Sequence, residues 1–225
     1  DSDADSDSDT DSDSDTDTDT DSDFDPDRDA APEFDFLMTD GSIIRRDMGA
    51  GDEVHLYGTN FGGGFVHEPW MSPLEGATNE YDSRAILTDR FGEEKMREIV
   101  GAYHRSWITE QDFINMAQDG INVVRLPIYY GELMRPDGTW YDDEDGNFAF
   151  LDWCIKTAYK HGIWTLIDMH GAPGSQNGAD HSGREDGILL FEEPDTYQPR
   201  LIAVWEKIAE HYNGNPAVAG YDLLN

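Results

Sequence analysis

Cysteine is almost absent from this chain of 225 residues, which contains Cys154 and no second one. A single cysteine cannot form a disulfide within the chain, so it indicates neither an oxidising nor a reducing compartment. The sequence also lacks an uninterrupted apolar run of the length that a membrane-spanning helix requires. A disulfide-stapled scaffold is therefore excluded, and we expect no insertion into a membrane.

Positive charge is scarce as well. Lys and Arg number 15 against 49 Asp and Glu, which gives a formal net charge of −34 at pH 7. Nucleic acids and anionic membrane surfaces are polyanions, so a chain of this charge is repelled by both. We therefore expect no nucleic-acid partner, whereas a neutral substrate would not be repelled.

Much of the acidity lies in a repeat at the start of the chain, where Asp occupies every odd position of residues 1–29. Fifteen Asp and one Arg there contribute −14, which leaves −20 for the remaining 196 residues. Because the repeat has no apolar face to bury, it cannot offset the entropy of ordering, and we predict disorder. With the transition AAPEFDF, we assign residues 1–36 to an Asp-Ser/Thr-rich linker and residues 37–225 to a compact domain.

Weak calcium binding is an alternative interpretation of the acidic repeat. The repeat offers many carboxylates but lacks the glycine and the terminal glutamate of an EF-hand loop. Residues 142–147 (DDEDGN) lack that pattern too, and we interpret them as an acidic turn. The repeat resembles the Ser-Asp stalks of bacterial surface proteins, which favours a location outside the cell or at its surface.

Strand-like and helix-like segments alternate after residue 50. The predicted strands are VHLYGTN (54–60), INVVRLPI (121–128), IWTLIDMH (163–170) and VAGYDLLN (218–225), with a long connection after the first. The predicted helices are residues 108–120, with Thr109 and Asp112 as a capping box, residues 148–162 and residues 200–215. This order predicts a parallel sheet, either half of a β/α barrel or a small doubly wound sheet.

A cofactor-binding α/β domain is a competing interpretation. It requires a glycine-rich phosphate turn between a strand and a helix. GTNFGGG (58–64) follows the first predicted strand, but no helix follows it promptly. We therefore expect no cofactor.

Polar side chains occur where the predicted strands end. An arginine inside an apolar strand is costly without a carboxylate partner, so Arg125 predicts a buried acid nearby. The carboxyl ends of the strands of a β/α barrel gather at one mouth, where catalysis takes place. Arg125, His170 and Asn225 each lie at or near such an end. The alternative is that Arg125 only pairs with an acid, such as Asp168, to hold the barrel together.

Four blocks of sequence carry a resemblance to a known family. They are GTNFGGGFVHEPW (58–70), HRSWITEQDF with INVVRLPI (104–128), IDMHGAPGSQNGADHSG (167–183) and AVAGYDLLN (217–225). The third is the most specific, because a long loop of that composition directly follows a strand ending in His. The chain resembles glycoside hydrolase family 5 and, within it, the fungal exo-β-1,3-glucanases. The resemblance implies a (β/α)8 TIM barrel, of which about the first four β/α units are present.

The resemblance also implies a reaction, the retaining hydrolysis of β-glucosidic bonds in a β-glucan polysaccharide or oligosaccharide. Such enzymes hold two carboxyl groups about 5 to 5.5 Å apart, one as nucleophile and one as acid/base. In the family, the strand similar to VAGYDLLN continues Asn-Glu-Pro, and its Glu is the acid/base. Both acids then lie beyond Asn225, and we expect the 225-residue chain alone to be inactive.

Supporting roles are also implied by the resemblance. Arg125 would hydrogen-bond the nucleophile, His170 the glucose hydroxyls or the surroundings of the nucleophile, and Asn225 the 2-hydroxyl of the sugar. No metal is implied. The substrate-binding candidates are Glu68, Asp180, Asn177, Tyr130 and Trp70.

Three positions depart from the pattern of the exo-glucanases. Gly64, Gly131 and Ala179 stand where those enzymes have aromatic side chains, which leaves exo or endo action and the linkage preference open. A second hypothesis stays open too, a non-catalytic glucan-binding protein for surface display on a decayed barrel. The residue encoded after Asn225 separates the two, because Glu followed by Pro supports the enzyme.

Overall fold

The computed structural model describes residues 36–71, 73–141 and 148–225 of the chain. The predicted acidic linker, except for its last residue, and the predicted turn at residues 142–147 lie outside these ranges, as does the calcium-binding alternative. The helices are α1 (Glu80–Phe91), α2 (Glu93–Trp107), α3 (Glu110–Gln118), α4 (Ala149–Lys160), α5 (Leu189–Glu192) and α6 (Pro194–His211). The strands are β1 (Met38–Asp40), β2 (Ile43–Arg45), β3 (Gly58–Asn60), β4 (Val123–Tyr129), β5 (Trp164–Gly171) and β6 (Val218–Asp222).

The predicted parallel sheet is confirmed, and its strands lie side by side in the order of the chain, β3-β4-β5-β6. The register pairs Arg125 with Asn60 on one side and with Leu166 on the other, and it pairs Asp168 with Asp222. Polar residues of all four strands are thereby brought to neighbouring positions of the sheet. The described residues thus have an α/β fold.

One face of the sheet forms the core with the helices. Val124, Leu126 and Ile128 of β4 and Ile167 and Met169 of β5 are buried in one cluster. Their partners from α3, α4 and α6 are Phe113, Leu151, Cys154, Ile155, Ala158, Val204 and Ile208. Because side chains alternate along a strand, Arg125, Asp168 and His170 lie on the opposite face. The apolar residues of the two central strands therefore fix which residues that face presents.

The sequence interpretation missed two helices and a hairpin. The segment interpreted as a long connection contains α1 and α2, and β1 pairs antiparallel with β2 ahead of the first predicted strand. The buried residues of α1 are Glu80, Ser83 and Arg84, so this helix lacks the apolar periodicity by which a buried helical face is recognised. Its start is nevertheless capped, since Asn79 Oδ1 accepts a hydrogen bond from the backbone of Asp82 at 3.0 Å.

The first predicted strand is shorter than expected, because only residues 58–60 pair with β4. The segment before it is held by Asn122, whose Oδ1 accepts from Tyr57 N at 2.8 Å and whose Nδ2 donates to His55 O at 2.9 Å. The capping box of α3 is confirmed, since Thr109 N donates to Asp112 Oδ2 at 2.8 Å.

A buried ionic network fastens α1 to the turn after β4. Arg84 Nε lies 2.5 Å from Glu80 Oε1, Nη1 donates to Gly131 O at 2.8 Å, and Nη2 pairs with Glu132. The second oxygen of Glu80 accepts from His67 N at 2.8 Å. Because His67 adjoins Glu68, the network also fixes the loop that carries two of the substrate-binding candidates.

A search of the helices in the described part of the chain finds none with the length and apolar character needed to cross a bilayer.

Candidate active site

Arg125 is the centre of a polar cluster to which each strand of the parallel sheet contributes. Its Nε and Nη2 donate to Asp222 Oδ2 at 3.0 and 2.8 Å, and Nη2 also lies 3.0 Å from Asp168 Oδ2. Nη1 donates to Asn60 Oδ1 at 3.2 Å, and Nη2 lies 3.1 Å from Asn225 Oδ1. The expectation that a buried acid meets Arg125 is confirmed, and this acid is Asp168.

His170 joins this cluster through Asp168. Its Nδ1 lies 2.7 Å from Asp168 Oδ2, the same oxygen that contacts Arg125. Asp168 is fully buried at 0% exposure, and no described residue hydrogen-bonds its second oxygen, Oδ1. The three residues predicted to support catalysis, Arg125, His170 and Asn225, thus lie in one cluster, and their individual roles stay predictions.

Asp222, Asn60 and Gln176 were missed by the sequence interpretation. Asp222 carried a usable signal, because it is an acid inside the apolar segment VAGYDLLN, just as Arg125 is a base inside INVVRLPI. Gln176 is buried, and its Nε2 donates to the carbonyl of His170 at 2.6 Å. It therefore fixes the backbone from which the His170 ring projects.

The loop after β5 carries Asn177 and Asp180. Asn177 Nδ2 lies 3.5 Å from His181 Nε2, and the ring of His181 lies 5.9 Å from the ring of His170. Asp180 Oδ1 accepts from the backbone of His181 at 2.9 Å. Asn177 is thus connected towards the Arg125 cluster through His181, which the sequence interpretation missed, whereas the contact that the structure gives Asp180 is with the backbone of that histidine.

Glu68 and Trp70 form a pair of their own. Glu68 accepts from Trp70 Nε1 at 2.8 Å, and Trp70 is 72% exposed. The hydrogen bond fixes the indole while its ring stays in solvent, as a platform for an apolar ligand face requires. No hydrogen bond or ion pair within the described ranges joins this pair to Arg125.

Tyr130 lies in the core, not at the surface. It is 5% exposed, and its ring packs on Tyr129 with centroids 4.6 Å apart. Burial raises the pKa of Tyr130 above its ordinary value. In this position its ring offers no free face to a sugar, so the placement does not support the predicted role in substrate binding.

At two of the three positions where the exo-glucanases have an aromatic side chain, neighbouring side chains fill the space. A Cβ at Gly131 would lie 2.4 Å from Tyr129 Cε1, and one at Gly64 would lie 2.5 Å from Ile108 Cδ1. A side chain at either position would displace a buried neighbour. The glycines therefore belong to a local packing in which no aromatic fits.

The cluster is suited to orienting a neutral polar ligand. Its guanidinium, imidazole, amides and carboxylates offer hydrogen-bond donors and acceptors close together. Asp168 and Asp222 both contact Arg125 and hold its guanidinium in place. Among the described residues, no group of three or more His, Cys, Asp or Glu is arranged to hold a metal.

The known proteins that this chain resembles in sequence are glycoside hydrolases. The sequence profile of Cellulase (glycosyl hydrolase family 5) matches residues 88–225. A probable glucan 1,3-beta-glucosidase A of Aspergillus clavatus is 38% identical over 157 residues, which are 69% of this chain and 37% of that protein. A beta-xylosidase of Phanerodontia chrysosporium is 34% identical over 191 residues, 81% of this chain and 37% of that protein.

The solved structures show the same fold. The crystal structure of rutinosidase from Aspergillus niger matches with a TM-score of 0.62 at 21% identity, over 75% of this chain and 48% of that one. The matched part of this chain thus spans less than half the length of each of these three proteins.

Proposed function

Because the chain belongs to glycoside hydrolase family 5, we propose that the protein is a retaining glycosidase that cleaves β-glucosidic bonds in β-glucans. The observation that carries the proposal is the cluster around Arg125, to which β3, β4, β5 and β6 each contribute a polar residue. Strand-end polar residues that converge in this way are typical of the active mouth of a β/α barrel. We propose that residues 37–225 form its first four β/α units.

The names of the relatives support a β-glucan as the substrate. The Aspergillus clavatus protein is called a probable glucan 1,3-beta-glucosidase, and a protein of Pichia angusta with that activity in its name is 31% identical over 82% of this chain. The net charge of −34 does not repel a neutral polysaccharide. Because the beta-xylosidase matches over a similar share of the chain, substrate assays should include xylo-oligosaccharides.

We further propose that Arg125, His170 and Asn225 serve two catalytic carboxylates that the family places beyond Asn225. The 225-residue chain then binds β-glucan without hydrolysing it, because hydrolysis with retention requires both acids. A polymer substrate and the acidic repeat together support a location outside the cell or at its surface.

The test has two arms. In the first, calorimetry measures the binding of laminaritriose, cellotriose and xylotriose to the 225-residue chain, and reducing-end assays measure hydrolysis. We expect binding of a gluco-oligosaccharide, no hydrolysis, and loss of binding in Arg125→Met but not in Arg90→Met, which removes an exposed charge on α1. Hydrolysis by this chain would refute the proposed inactivity, and failure to bind any gluco-oligosaccharide would refute the proposal that this chain binds β-glucan.

The second arm uses the protein expressed from its natural reading frame. Hydrolysis of laminarin or cellulose with retention at the anomeric carbon supports the enzyme. Binding without hydrolysis in that protein would support the non-catalytic display protein instead.

A further inference from the structure

The contact between Asp168 and His170 determines where the imidazole carries its proton. Asp168 Oδ2 lies 2.7 Å from His170 Nδ1 and 3.0 Å from Arg125 Nη2. A guanidinium only donates, so this oxygen already acts as an acceptor. Its short contact with Nδ1 is satisfied when that nitrogen carries the hydrogen.

We propose that Asp168 is a positioning residue that keeps the neutral His170 protonated on Nδ1, so that Nε2 accepts a hydrogen bond from a hydroxyl group of the bound sugar. In a neutral histidine, the hydrogen bond that one ring nitrogen makes determines whether the other ring nitrogen is a donor or an acceptor. The identity of the ligand rests on the proposed function. The position of the proton does not, because it follows from contacts within the chain.

The surroundings of His170 support this assignment. No described residue hydrogen-bonds its Nε2, whereas its carbonyl is held by Gln176 at 2.6 Å. The backbone and one side of the ring are thus fixed, and the other nitrogen is left for a ligand. The nearest ring is that of His181, with centroids 5.9 Å apart, in the loop that carries the candidates Asn177 and Asp180.

Asp222 provides a matched control. It contacts the same arginine as Asp168, through an oxygen 2.8 Å from Arg125 Nη2, but the structure gives it no contact with His170. Asp168→Leu and Asp222→Leu each replace a carboxylate beside Arg125 with an apolar side chain of similar size. Only the first removes the group that accepts a hydrogen bond from His170 Nδ1.

The test is a long-range ¹H–¹⁵N correlation spectrum of the labelled 225-residue chain at about pH 8.5, above the usual histidine pKa of about 6.5. The signals of His170 are assigned by their loss in His170→Gln. We expect a protonated Nδ1 and an unprotonated Nε2 in the wild type and in Asp222→Leu. In Asp168→Leu the proton moves to Nε2, because no carboxylate then accepts a hydrogen bond from Nδ1.

A wild-type spectrum with the proton on Nε2 overturns the proposal, whether or not Asp168→Leu folds. An unchanged tautomer in a folded Asp168→Leu also overturns it, because Asp168 would then not set the tautomer. Added laminaritriose is expected to shift the Nε2 resonance, and affinity is expected to fall about tenfold in Asp168→Leu. If laminaritriose binds and Nε2 does not respond, the acceptor role is wrong, whereas failure to bind at all counts against the proposed function and leaves the tautomer standing.

Discussion

Arg125 reaches across a whole strand to Asp222. The two residues lie on β4 and β6, with β5 between them, yet Arg125 Nε and Nη2 both contact Asp222 Oδ2, at 3.0 and 2.8 Å. The arginine thereby ties three neighbouring strands together at the end where the candidate site lies. It is held in one orientation before any ligand arrives.

We expect Asp222→Asn to lower the free energy of unfolding by about 1 to 2 kcal/mol. Hydrogen bonds to charged groups contribute about 1.5 to 3 kcal/mol, and the side chain of Asp222 is 37% exposed, which weakens the contact. Urea unfolding at neutral pH measures the difference. Glu206→Gln, an exposed carboxylate on α6, is the control and should change stability by less than about 0.5 kcal/mol. Equal losses in both variants would contradict a specific role for the contact.

Trp70→Ala should weaken the binding of laminaritriose about tenfold, which corresponds to about 1.4 kcal/mol. The indole is 72% exposed and fixed by Glu68, so it can stack on a sugar without a loss of side-chain freedom. Calorimetric titration of the 225-residue chain gives the affinities. Phe191→Ala removes another exposed aromatic, on α5, and should leave the affinity unchanged. A loss of equal size in that variant would place the binding surface elsewhere.

Apolar periodicity determined which parts of the fold could be predicted. The strands β4 and β5 and the helices α3, α4 and α6 were found because their buried residues are apolar, such as Leu126, Ile167 and Val204. In contrast, α1 buries Glu80 and Arg84, which pair with each other and with Glu132. A helix held by ion pairs gives no apolar pattern, so it was interpreted as a connection.

The candidate site could be predicted where a charged residue interrupts an apolar strand. Arg125 inside an apolar strand indicated a buried acid, and the structure shows that this acid is Asp168. Asp222 was missed, because pairing it with Arg125 requires knowledge that β6 lies beside β5 in a register that sets it opposite Asp168. The position of Tyr130 could not be predicted, because a tyrosine at a strand end gives no sequence signal that separates core packing from ligand contact.

The network around Arg84 should make a large contribution to stability. Burial alone would lower the pKa of Arg84, but Glu132 and Glu80 raise it above its ordinary value. We expect Arg84→Met to cost about 3 to 5 kcal/mol, because it leaves two carboxylates without their buried cation. Chemical unfolding tests this, with Arg90→Met on the exposed side of the same helix as the control. A cost below about 1 kcal/mol would mean that the carboxylates find other partners.

His104 should make stability depend on pH below neutrality. Burial lowers the pKa of its imidazole below 6.5, against an opposing effect of Glu132. Below pH 6.5 the unfolded chain then binds a proton that the folded chain does not. The free energy of unfolding therefore has its full value above pH 6.5. It decreases as the pH falls towards the pKa of His104 in the folded state, by up to about 1.4 kcal/mol per pH unit.

The variant His104→Phe tests this dependence, because a phenyl ring suits the stack of His104 on Phe150, whose centroids are 5.2 Å apart. Unfolding free energies at several pH values between 5 and 8 should show a shallower slope in this variant than in the wild type. His55→Phe replaces an exposed imidazole and should keep the wild-type slope. Identical slopes in all three proteins would show that His104 does not carry the effect.

Salt should stabilise the folded chain. Even without the acidic repeat, residues 30–225 carry a formal charge of −20, and self-repulsion between exposed carboxylates disfavours the compact state. Raising the ionic strength from 0.1 M to 1 M shortens the Debye length from about 10 Å to about 3 Å, which screens this repulsion. We therefore expect the midpoint of thermal unfolding to rise with added NaCl, by the same amount with KCl, and to level off near 1 M. A midpoint that stays constant or falls with salt would mean that the screened ion pairs, such as Arg135 with Glu93, stabilise the fold as much as the repulsion destabilises it.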